Sequence, residues 1–76
     1  MRDAVEMVVK SLVDDVEAVD VREVDQQGTT LIEVRVGPAD MGKIIGRQGR
    51  TIRALRALAY VASLKRRHRF VVEIVE

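Results

Sequence analysis

Between residues 42 and 52 the chain runs Gly42-Lys43-Ile44-Ile45-Gly46-Arg47-Gln48-Gly49-Arg50-Thr51-Ile52, two glycines three apart with cations on both sides and no carboxylate. Those residue types at that spacing suit phosphate. Glycine at positions 46 and 49 lets the backbone turn sharply and, lacking Cβ, lets a sugar-phosphate strand lie directly against it. After Gly49 come Arg50, Thr51 and Arg53, where a helix start would ordinarily place Asp or Glu near its unpaired N–H groups. Free amides, helix dipole and guanidinium groups together fit an external anion instead. Lys43 and Arg47 extend that field, and Ile44, Ile45 and Ile52 are candidates for an apolar floor under bases. The two glycines alone also fit a plain junction between helices, since glycine commonly ends them.

The distribution of charge favours a ligand. Residues 1 to 40 hold four Lys/Arg against ten Asp/Glu, residues 41 to 72 hold nine against none, and residues 73 to 76 hold two Glu, giving the net charge of +1. Solvated faces ordinarily mix both signs, so a basic half straddling the glycines suggests a nucleic-acid surface. Lys65, Arg66, Arg67 and Arg69 form a second basic group, either a solvated connection or a further set of phosphate contacts.

Other chemistries fit less well. His68 is the single histidine and has no companion ligand or nucleophile, and the basic half holds no paired carboxylates or Cys-His pair, so no catalysis, metal or cofactor is expected. A P-loop needs four residues between its glycines and then Gly-Lys-Ser/Thr, which Gly42, Gly46 and Gly49 do not supply. A helix-turn-helix DNA reader would account for a basic helix after a glycine turn, but this one becomes apolar beyond Arg56 and offers few side chains for base edges. Tyr60 and Phe70 are the only Phe, Tyr or Trp residues and are expected to pack, which disfavours modules that stack bases on several aromatic rings.

The elements that must position these residues follow from apolar periodicity. Val5, Val8, Val9, Leu12 and Val16 share one helical face, predicting an amphipathic helix over roughly residues 2 to 14. Val19 and Val21, then Ile32, Val34 and Val36, alternate with polar residues as two half-buried strands joined around Gln26-Gln27-Gly28 as an antiparallel hairpin. Val24 is out of phase with Val21, predicting fraying or a bulge near Glu23. Gly37-Pro38-Ala39-Asp40 starts a short helix to Ile45, with Asp40 placing negative charge in its first turn. A longer helix is expected from Arg50 to Leu64, and Phe70, Val72 and Ile74 mark a last strand.

The order helix, strand, strand, helix, glycine loop, helix, strand predicts an α+β fold, a three-stranded mixed sheet with helices on one face and Asp20, Arg22, Glu33, Arg35 and Glu73 on the other. Seventy-six residues make one domain, 1–76, and the absence of Cys leaves its stability to the apolar 47% of the chain. The longest non-polar stretch, Ala57 to Ala62, is far short of a membrane span, and the N-terminus lacks a signal-peptide core, so a cytosolic protein without a membrane partner is expected. On the second long helix Ile52, Leu55, Ala59 and Ala62 form a core-facing stripe. Ala54, Ala57, Leu58, Val61 and Leu64 leave another, either covered by the first helix or forming a dimer interface centred on Ala54, Leu58 and Val61.

The segment Gly42 to Ile52 resembles the signature of KH domains, with Gly46-Arg47-Gln48-Gly49 as the GXXG loop, and the element order is similar to the type II KH arrangement. The likeness spans the whole chain and is closest in kind to the small bacterial single-KH proteins of the KhpA family, which share the Gly37-Pro38 entry and the Arg50-to-Arg56 continuation. That resemblance implies single-stranded RNA as partner, about four nucleotides clamped at the GXXG loop, with Lys65, Arg66 and Arg67 beside the groove. It also implies self-association, and pairing with a larger KH-containing protein linked to cell elongation and division.

Overall fold

The computed structural model describes residues 1–75, with Arg47 and Gln48 described by their backbone alone. The elements are α1 (Arg2–Lys10), a 3-10 turn (Val16–Ala18), β1 (Asp20–Gln26), β2 (Thr29–Arg35), α2 (Pro38–Arg66) and β3 (Arg69–Ile74). Alternation in the strands and the crossover through α2 produce the expected sheet, ordered β1-β2-β3, with β1 antiparallel and β3 parallel to β2. Its inner face supplies Val21, Ile32, Val34 and Val72 to a core completed by Val5 and Val9 of α1 and by Ile44, Leu55 and Ala59 of α2. Across the outer face lies the row Arg22, Glu33, Glu73. The α+β fold is the one expected.

Several local expectations are corrected. Gln26 pairs with Thr29, so the hairpin turn is two residues, Gln27 and Gly28, both with positive φ (45° and 85°), the pattern of a type I′ turn. The ladder is continuous through Glu23 and Val24, with no bulge. Val24 lies on the outer face opposite Leu31, while Glu23 lies on the inner side and accepts a 3.1 Å hydrogen bond from the Arg2 amide at the start of α1. Polar capping of a helix end, rather than disorder in the strand, explains the broken alternation.

α1 stops at Lys10, a turn short of the expected end. The Ser11 hydroxyl donates to the Val8 carbonyl at 2.6 Å, and the Leu12 amide bonds three residues back to Val9 at 3.0 Å, tightening the chain out of the helix. Val13 then enters the core, while Leu12 and Val16 stay exposed despite their helical phase.

The two helices expected on either side of the GXXG segment are hydrogen-bonded into one run of 29 residues. Within it Gly49 takes a left-handed φ of +68°. A straight helix of that length would extend about 43 Å, beyond the 35 Å longest dimension of the protein. The run therefore bends, and left-handed Gly49 is the residue able to bend it.

Candidate nucleic-acid interface

The glycines are not required by the interior of the protein. Cβ atoms placed on Gly42 or Gly46 would meet nothing within 4 Å, and neither residue has a positive φ. Glycine inside a helix costs roughly 1 kcal/mol relative to alanine, so two such positions in one segment lower stability without an internal reason. Gly42 and Gly46, with Lys43, Arg50, Thr51 and the exposed Leu12 of the α1–β1 connection, line a shallow depression. At Gly49 the requirement is conformational, since alanine in the left-handed region costs about 1–2 kcal/mol.

The three isoleucines separate. Ile44 is fully buried among core residues and cannot floor a binding site; its truncation to alanine would cost about 2–5 kcal/mol of packing. Ile52 is half-buried against the core, and only Ile45, 42% exposed, is free to meet a ligand. The side chains of Arg47 and Gln48 lie outside the described residues.

The cations separate too. Lys43 donates a hydrogen bond to the Asp14 carboxylate and lies 3.6 Å from Asp40. Asp14, then Asp40, hold its ammonium pKa above the ordinary lysine value. Its charge is thus already partnered by carboxylates, one of them brought from a distant loop. Arg50, Arg53, Arg56, Lys65, Arg66, Arg67 and Arg69 are all exposed, and none forms an ion pair among the described residues. The available positive field runs along the later part of α2 and into β3.

Sequence reasoning assigned Asp40 only a helix-start charge, and its larger role was missed. Asp40 is 1% exposed and accepts from the backbone amides of Asp14 at 3.1 Å and Asp15 at 3.0 Å. Those bonds, led by the Asp14 amide, hold its carboxyl below the usual aspartate range. One carboxylate thereby fixes the α1–β1 connection against the start of α2, beside the glycine surface. No local pattern could reveal it, because its partners are 25 and 26 residues away.

Tyr60 was expected to pack, yet it is 64% exposed on α2. The available signal was the helical phase: Arg53, Arg56, Tyr60 and Arg67 are spaced three, four and seven apart and share a face separate from Leu55. Phe70 is half-buried and meets the edge of His68 at 5.1 Å between ring centroids. His68 Nε2 lies 2.8 Å from the hydroxyl of buried Thr30, which donates to Asp25 at 2.9 Å. The lone histidine thus joins a structural polar chain at one end of the sheet. Arg67, ending α2, has a left-handed φ of 51°, a conformation costing an L-residue about 1–2 kcal/mol.

The second apolar stripe of α2 is not covered by α1: Ala54, Ala57, Val61 and Leu64 are exposed. Leu58 is the exception, partly buried against the core.

A mixed sheet backed on one face by helices, with a GXXG segment at a bend in a helical run, is the arrangement of a KH domain. The chain belongs to the KhpA/KhpB KH domain family, whose model matches residues 2–74. It is 44% identical to the RNA-binding protein KhpA of Caldanaerobacter subterraneus subsp. tengcongensis, covering 99% of this chain and 100% of that protein. Against the RNA-binding protein KhpA of Clostridium perfringens the identity is again 44%, with 99% and 100% coverage, and against that of Aquifex aeolicus it is 45%, with 100% and 96%. No solved structure matches the chain. Among the described residues no helix is long and apolar enough to cross a membrane.

Proposed function

We propose that this protein is a non-catalytic, cytosolic single-stranded RNA-binding protein that holds about four nucleotides at the Gly46–Gly49 turn, with Arg50 and Arg53 on the phosphates and Ile45 under a base. The observation that carries the reading is Gly46: a helical glycine with open space where its Cβ would be, beside cations without carboxylate partners. A backbone left bare at a cost to the helix fits a ligand that must approach closely. Lys43, already paired with Asp14 and Asp40, supports the turn by fixing its neighbouring connection.

The reading is tested with Arg47→Asp combined with Gln48→Asp. Carboxylates at the turn would repel passing phosphates, so RNA binding is lost while circular dichroism stays that of a folded protein. A folded double variant that binds RNA within twofold of the parent would remove the turn from the binding site.

Self-association belongs to the same proposal and is supported by a different observation, the uncovered stripe of Ala54, Ala57 and Val61. A second copy, or a larger KH-containing protein presenting a similar helix, would bury it. The matching family model spans both KhpA and KhpB, which fits either occupant.

A further inference from the structure

The later half of α2 has a third face besides its core face and its apolar stripe. Arg53, Arg56, Tyr60 and Arg67 lie along it, and between Arg56 and Arg67 it forms one wall of a groove. The opposite wall is the start of β3, Arg69 to Val71, an edge strand of the sheet. The groove encloses ≈ 540 Å³, within the range of sites that take a small organic group. No carboxylate lines it, and Arg56, Arg67 and Arg69 have no ion-pair partner among the described residues.

Its walls are fixed in advance. The Ser63 hydroxyl donates to the Ala59 carbonyl at 2.8 Å and accepts from the Phe70 amide at 2.9 Å, joining α2 to β3 across the floor. Tyr60, by contrast, is 64% exposed. Arg67 remains in a left-handed conformation where glycine is the usual helix-ending residue. Backbone strain retained for a cation is a signature of function rather than of folding.

We propose that this groove is a second nucleotide subsite on the same RNA strand. A base stacks on Tyr60, and the flanking phosphates meet Arg56, Arg67 and Arg69. The proposal rests on the RNA reading above and extends it: a strand held at the glycine turn continues about 21 Å along α2, from Arg53 to Arg67. Charge decides the occupant. An apolar floor with an uncompensated cationic rim matches a polyanion with aromatic bases, whereas the Ala54–Val61 stripe, on another face, has the composition for a second copy.

The experiment compares a tetranucleotide and a decanucleotide RNA by fluorescence anisotropy, for the parent, Tyr60→Ala and Tyr60→Phe. The parent is expected to bind the longer RNA more tightly. Tyr60→Ala weakens the longer RNA by about five- to a hundredfold, the range of one lost base–aromatic stack, and leaves the shorter one unchanged. Tyr60→Phe restores binding. Arg67→Gly lowers the magnitude of the salt slope for the longer RNA by about 0.7 while raising the melting temperature. Equal affinity of the parent for both RNAs, or a folded Tyr60→Ala variant within twofold of the parent on the longer one, overturns the subsite alone. Dissociation of a dimer by Tyr60→Ala with RNA binding intact also overturns it, assigning the face to a second copy. A parent that binds neither RNA overturns the reading at the glycine turn as well.

Discussion

Gly46→Ala should make the protein more stable and worse at binding RNA. Gly46 lies within the helical run without a positive φ, and the added Cβ would meet nothing within 4 Å. The substitution therefore collects the helix-propensity difference, up to about 1 kcal/mol, with no packing penalty. For a domain of this size that raises the melting temperature by roughly 4–8 °C per kcal/mol. On the ligand side, a methyl group between backbone and phosphate displaces one charge-assisted hydrogen bond. Such a bond contributes about 1.5–3 kcal/mol, so affinity should fall about ten- to a hundredfold. Thermal melts by circular dichroism and anisotropy titration with a short RNA measure the two arms. Gly49→Ala is the control, since its left-handed φ of +68° makes alanine destabilising by about 1–2 kcal/mol. A higher melting point with affinity unchanged within twofold would show that Gly46 does not touch the ligand; a lower melting point would refute the claim that its Cβ position is empty.

Three further outcomes are expected. Val61→Glu, at a site 48% exposed on the apolar stripe, should give a folded monomer in sedimentation velocity, whereas Leu58→Glu should unfold the chain because Leu58 packs against the core; a parent already monomeric at high concentration would assign the stripe to solvent. The Asp40 carboxyl has a lowered pKa in the folded state, so its stabilising contribution is complete above the ordinary aspartate value of about 3.9 and is lost as pH falls below it. Asp40→Asn should lower the melting temperature at neutral pH and flatten the acid limb of the stability profile, and an unchanged acid limb would contradict the assigned hydrogen bonds. Arg53→Ala should reduce the magnitude of the salt slope of RNA binding by about 0.7, the value for one single-strand phosphate, with similar losses for different RNA sequences because phosphate contacts carry no base identity; a strongly sequence-dependent loss would make Arg53 a base reader.

The sequence alone determined what depends on neighbours a few residues apart. Alternation in Ile32, Val34 and Val36 gives the central strand its inner and outer faces, the Gln27-Gly28 pair permits a tight hairpin, and the glycines at 46 and 49 stand out within a stretch free of acids. Strand faces and positive-φ turns are local properties of the backbone, so their signals survive in one dimension. Even there, a cap on α1 drew Glu23 inward and imitated a bulge. Tertiary structure alone decided the rest. Asp40 reaches the amides of Asp14 and Asp15, and Asp14 in turn partners Lys43. Of two adjacent isoleucines, Ile44 is buried and Ile45 exposed, while Tyr60 faces a groove closed by β3. The reason is physical: burial and charge compensation are set by whichever distant segment packs or pairs against a side chain, and that contact leaves no periodicity in the sequence from which to read it.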